Sequence, residues 1–119
     1  MSKPEEDAAI KKLERSEYDK LIHPYMVIMD MEGEDLKLDK DIVEKVKYLI
    51  AAYLEATYNR SRRPDVKPLL AASLYVVSIL ECDSDKCEIK DKKEVANMFK
   101  ISVATVDKWS KDIVDTLGI

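Results

Sequence analysis

Glycine is scarce: only Gly33 and Gly118 occur in 119 residues. That excludes glycine-rich phosphate loops, both the G-x-G-x-x-G fingerprint and the Walker type. The abundance of Ala, Leu, Lys and Glu beside so little Gly predicts an all-α fold. Cysteine and histidine are equally thin. Cys82, Cys87 and His23 fall short of the four ligands a structural zinc site needs. Two ordinary reduced thiols are expected, since a Cys82–Cys87 disulfide would close only a short loop. His23 has no Ser or Cys in a recognisable triad pattern, so no catalytic residue, metal or cofactor is expected and the chain does not read as an enzyme. No apolar run approaches ~20 residues, which predicts no membrane span and no membrane partner. Met1–Asp7 starts acidic without an apolar signal region, so an intracellular protein is expected.

What is present is charge and helical periodicity. Acidic residues number 24 and basic residues 20, for a net charge of −4. The excess is uneven. Residues 86–119 hold 7 Lys against 6 acids, whereas residues 1–85 hold 13 basic against 18 acidic residues. The whole chain is therefore no nucleic-acid coat, but its C-terminal part is locally less acidic.

The pattern predicts five or six helices around a buried central one. A polar helix over Pro4–Leu21 stops before Pro24, because proline disfavours helix at the preceding residue. A short helix over Pro24–Met31 ends at Gly33 as a left-handed cap, with Met26, Met29 and Met31 filling core gaps. Residues 1–21 thus read as an N-terminal helical extension and 22–119 as a single domain. Asp39 or Lys40 opens the next helix, whose apolar positions recur at three and four from Ile42 to Thr57. It ends near Asn59, before the basic turn Arg60-Ser61-Arg62-Arg63-Pro64. Asp65 starts a helix over Val66–Cys82 that is apolar almost all round, the mark of a central element. Two further helices follow at about Asp91–Phe99 and Val103–Leu117, with Ser102 as N-cap and Gly118 just past the end.

The last two helices, over 91–117, have helix-turn-helix spacing. Val95, Ala96, Phe99, Ile101, Val106 and Trp109 fill the wedge between them. Ser102, Val103, Ala104, Thr105, Asp107, Lys108 and Lys111 are then placed for a major groove of double-stranded DNA. Lys100 replaces the usual turn glycine. Lys90, Lys92, Lys93, Lys100, Lys108 and Lys111 stand where they face phosphates. Arg60, Arg62 and Arg63 form a second candidate clamp, for phosphate or for an acidic protein segment.

The ordered series Ile22-His23-Pro24, Arg63-Pro64, Leu70-Ala71-Ala72-Ser73-Leu74-Tyr75, Lys93-Glu94-Val95-Ala96, Ile101-Ser102-Val103-Ala104-Thr105-Val106 and Ile113-Val114-Asp115-Thr116-Leu117 resembles a cyclin box. More narrowly it resembles one repeat of the transcription factor IIB core domain and its archaeal counterpart, over roughly Tyr18–Ile119. The resemblance implies a cyclin-like bundle ending in a helix-turn-helix, a role in transcription initiation, and contact with promoter DNA and the TATA-binding protein or another transcription protein. It places Ala104 at an apolar base contact. Asp107 stands where the family has a base-reading Arg, so an acceptor replaces the guanine-binding fork. There is one repeat and no zinc ribbon, which the resemblance implies to be either an excised fragment or a stand-alone relative; Met1 and the additional N-terminal helix favour the latter. The alternative is a cyclin-like protein-protein interaction adaptor without DNA reading.

Overall fold

The computed structural model describes residues 4–60, 64–81 and 91–119, with side chains from residue 17 onward. Arg62, Arg63, Lys90, Cys82 and Cys87 lie outside these. Among the described residues there are five helices and no strands: α1 (Pro4–Asp35), α2 (Lys40–Ala56), α3 (Val66–Leu80), α4 (Lys92–Phe99) and α5 (Val103–Leu117). No helix among them is long and apolar enough to cross a membrane.

Helix α3 is the centre. The other four helices all pack on it, α5 most extensively. Leu69, Leu70, Ala71, Ala72, Ser73 and Leu74 are consecutive and completely buried. A helix can bury successive residues only when neighbours surround it, which is why its sequence is apolar in every direction. Ala71, Ala72 and Ser73 keep the surface thin where helices cross. The Ser73 hydroxyl finds no hydrogen-bond partner among the described residues.

The N-terminal half departs from the expected two helices. Helix α1 runs unbroken for 32 residues with Pro24 inside it. The proline lacks the N–H that the Lys20 carbonyl would accept. Both residues are exposed, so water can solvate that oxygen. Packing on either side holds the helix together. Tyr25 and Met29 are buried, and Tyr18, Leu21, Ile22 and Met26 pack against the same core. The Tyr25 hydroxyl donates to the Pro64 carbonyl at 2.9 Å. Position 21–22 therefore lies within one helix. Met31, expected as a core filler, is 59% exposed.

Gly33 is not the helix end either. It is buried inside α1, where an added Cβ would lie 2.7 Å from Val43 Cγ2. Its job is close approach of α1 to α2, not a left-handed turn. Lys37 takes the left-handed conformation instead, with φ 54°. The Leu38 N–H then donates back to the Gly33 carbonyl at 2.9 Å, closing a Schellman-type end.

The other boundaries follow local chemistry. Asp39 caps α2 by accepting from the Asp41 N–H. Helix α2 stops at Ala56, short of Asn59. Asp65 precedes α3 without a side-chain capping bond, and α3 ends at Leu80.

Candidate nucleic-acid interface

Helices α4 and α5 are joined by a short turn and pack against each other. Asp91 accepts from the Glu94 N–H at 2.7 Å and starts α4. Lys100 ends it in the left-handed region, φ 57° and ψ 45°. The Ile101 N–H reaches back to the Ala96 carbonyl at 3.0 Å, again the Schellman geometry. A side chain at such a position costs about 1 kcal/mol or more; the Ile101 bond, a second from the Lys100 N–H to the Asn97 carbonyl at 3.3 Å, and the packing of Ile101 offset it. Ser102 accepts from the Thr105 N–H at 3.2 Å and opens α5, only three residues after α4 ends. Gly118, φ 67°, closes it.

The wedge is packed. Val95, Ala96, Phe99 and Val106 are buried, and Ile101 and Trp109 pack partly against them. With that face committed, Ser102, Val103, Ala104, Lys108 and Lys111 are exposed, and Thr105 is half-buried. Lys93 and Lys100 are exposed on α4 and the turn. The Lys108 ammonium sits 4.8 Å from the centre of the Trp109 ring.

Asp107 does not simply face solvent. It lies half-buried between two lysines. Lys92 from α4 bonds its Oδ1, and Lys111, one turn on in α5, bonds its Oδ2 at 2.9 Å. Lys92 is also held 5.4 Å from the Tyr75 ring of α3. Hydrogen bonds from the two ammoniums, Lys92 first, hold the Asp107 carboxyl below its ordinary range. The same Asp107 bond pushes the Lys92 ammonium up. Two of the cations expected at phosphates are therefore already engaged by a carboxylate.

Arg60 is placed elsewhere. It donates to Asp112 at 2.8 Å and to Thr116 Oγ1 at 3.2 Å, tying the end of α2 to α5. Asp112 is five residues beyond Asp107, about 140° around the helix. The structure thus brings Lys92, Asp107 and Lys111 together and puts Arg60 on another face of α5.

Sequence reasoning missed two features. The first is the buried Tyr53 hydroxyl, which donates to the same Asp112 carboxylate. Its burial and that carboxylate together raise the phenol well above its ordinary range. Tyr53 and Asp112 are 59 residues apart, and no spacing rule links them. The second is an open groove of about 530 Å³ between the end of α3, the start of α4 and the second half of α5. Tyr75, Ile79, Leu80 and Val114 give it an apolar lining, with Lys92 and Lys111 on its wall. Its only sequence signal was the apolar excess at the end of α3. Among the described residues, no group of three or more His, Cys, Asp or Glu side chains is placed to hold a metal ion.

Comparison of the chain with protein-family models, curated proteins and solved structures finds no match.

Proposed function

We propose that this chain is a transcription-factor-IIB-like module that binds double-stranded DNA through the α4–α5 hairpin, in transcription initiation or its regulation, inside the cell and without catalysis. The observation that carries the reading is the start of α5. A three-residue turn leads into α5, whose Val106 and Trp109 face the packed wedge, and this leaves the N-cap Ser102 and the first helical residues Val103 and Ala104 exposed. In a major groove these residues meet base edges, while Lys93, Lys100 and Lys108 reach phosphates. The ordered sequence resemblance to a cyclin box supports the same role, with the TATA-binding protein or another transcription protein as partner.

A duplex titration at two ionic strengths tests this. Counterion release makes the affinity fall steeply with salt, with a log–log slope of about −0.9 per phosphate contact. Lys93→Glu with Lys108→Glu is expected to reduce binding at 50 mM salt at least ~100-fold, since two contacts become two repulsions. A folded chain that binds no duplex at low salt would overturn the proposal.

The second reading, a cyclin-like protein-protein adaptor, draws on the apolar groove and on Ile79, Leu80 and Ile119, which stand exposed around it. It is favoured if duplex binding fails while a transcription protein, the TATA-binding protein among them, is retained on the immobilised chain.

A further inference from the structure

We propose that Asp107 is an internal stand-in for a DNA phosphate, which occupies Lys111 and Lys92 and sets the hairpin's affinity for a duplex below what its lysines would give. The inference rests on the DNA-binding reading above.

A carboxylate presents the same ligand to an ammonium as two phosphate oxygens do. Both Asp107 oxygens are used, one by each lysine. Asp107 shares a face of α5 with Val103 and Ala104, four and three residues before it, and with Lys111, four after it; Lys108 lies three residues before Lys111. A phosphate that seeks Lys111 must therefore approach the Asp107 charge and displace it. Lys92 and Lys111 differ in freedom. Lys92 is pinned between Asp107 and the Tyr75 ring, with a third of its side chain exposed. Lys111 is 71% exposed and held only at its tip. Lys111 is thus the cation that Asp107 withholds, and Lys92 is the anchor that keeps Asp107 in place. The two ammoniums hold the Asp107 carboxyl below its ordinary range, so it is charged at neutral pH.

Asp107→Asn keeps the side-chain shape and removes the charge. It is expected to tighten duplex binding about tenfold at 50 mM salt and to steepen the salt slope by about 0.9, one added phosphate contact. Asp115→Asn removes the same charge from α5, one turn beyond Lys111, and leaves the Asp107–Lys111 ion pair intact. It is expected to change affinity by less than about twofold with no change in slope. Adding Lys111→Gln to Asp107→Asn should abolish the gain. Equal effects of Asp107→Asn and Asp115→Asn would overturn the inference while leaving DNA binding intact, because only the overall field would matter. If neither the wild type nor Asp107→Asn binds at low salt, the DNA reading falls, and the inference with it. Should Asp107→Asn unfold, the single lysine variants decide. Lys111→Gln in the otherwise unchanged chain should cost clearly less affinity than Lys93→Gln; an equal cost overturns the inference.

Discussion

Single residues do unexpected work where two backbones meet. Gly33 sits inside α1, where a helix former would ordinarily be better by about 1 kcal/mol. Val43 forbids it. The Val43 side chain is branched and stiff at χ1, so it cannot swing away from a Cβ placed 2.7 Å from its methyl group. Overpacking of this kind costs about 1–3 kcal/mol, which exceeds the propensity gain. Gly33→Ala is therefore expected to lower stability by about 1 kcal/mol in urea unfolding. In a Val43→Ala background the same change should be neutral or stabilising. A Gly33→Ala chain more stable than wild type would show that α1 and α2 do not approach this closely. The sequence draws attention to Gly33 but not to the reason for it. A glycine answers either to a positive φ or to a close neighbour, and the neighbour lies ten residues away. Among the described residues the left-handed positions fell to Gly118 and to two lysines, Lys37 and Lys100. At Lys100 the helix-turn-helix spacing identified the position; at Lys37 nothing local did. Asp107 stood out in the sequence only as an acid among the lysines of α5, and its engagement by Lys92 depends on tertiary contact.

Elements were legible in proportion to how locally their ends are determined. Asp39, Asp91, Ser102 and Gly118 each mark a boundary through a bond or a dihedral made within a few residues. Helices α4 and α5 follow from those signals together with an apolar stripe of period 3.6. Helix α1 does not, because its continuity across Pro24 is a tertiary effect. Local chemistry argues for a break at His23, and burial of Tyr25 and Met29 overrides it. The cost of the proline should remain measurable. Pro24→Ala restores a donor to the Lys20 carbonyl and removes the ring's clash with that turn. Pro24 is exposed, so nothing in the core is lost. The variant is expected to be more stable by about 1–3 kcal/mol in denaturant unfolding. An unchanged or lower stability would mean that packing has already absorbed the proline's cost.

At the scale of the molecule, α2 and α5 are joined by a junction that none of the elements contains by itself. Asp112 accepts from the buried Tyr53 hydroxyl on one side and from Arg60 on the other. The Tyr53 ring is 1% exposed. Burial is the larger cause of its raised pKa, the Asp112 bond is next, and Arg60 opposes both. The sign of the linkage follows. A phenol whose pKa rises on folding stabilises the fold fully below its unfolded value of 10.0. That contribution is lost as pH climbs through the folded value, because the unfolded chain gives up the proton first. Alkaline unfolding should therefore be coupled to ionisation of Tyr53. Subtracting the absorbance titration of Tyr53→Phe from that of the wild type isolates this one phenol among the six tyrosines. Its ionisation is expected to lag the ordinary tyrosine range and to coincide with loss of helical circular dichroism. Asp112→Asn removes the carboxylate but leaves the burial, so the midpoint should fall while remaining above 10.0. A midpoint unmoved by Asp112→Asn would mean that burial alone holds the proton, and that the junction between α2 and α5 rests on Arg60.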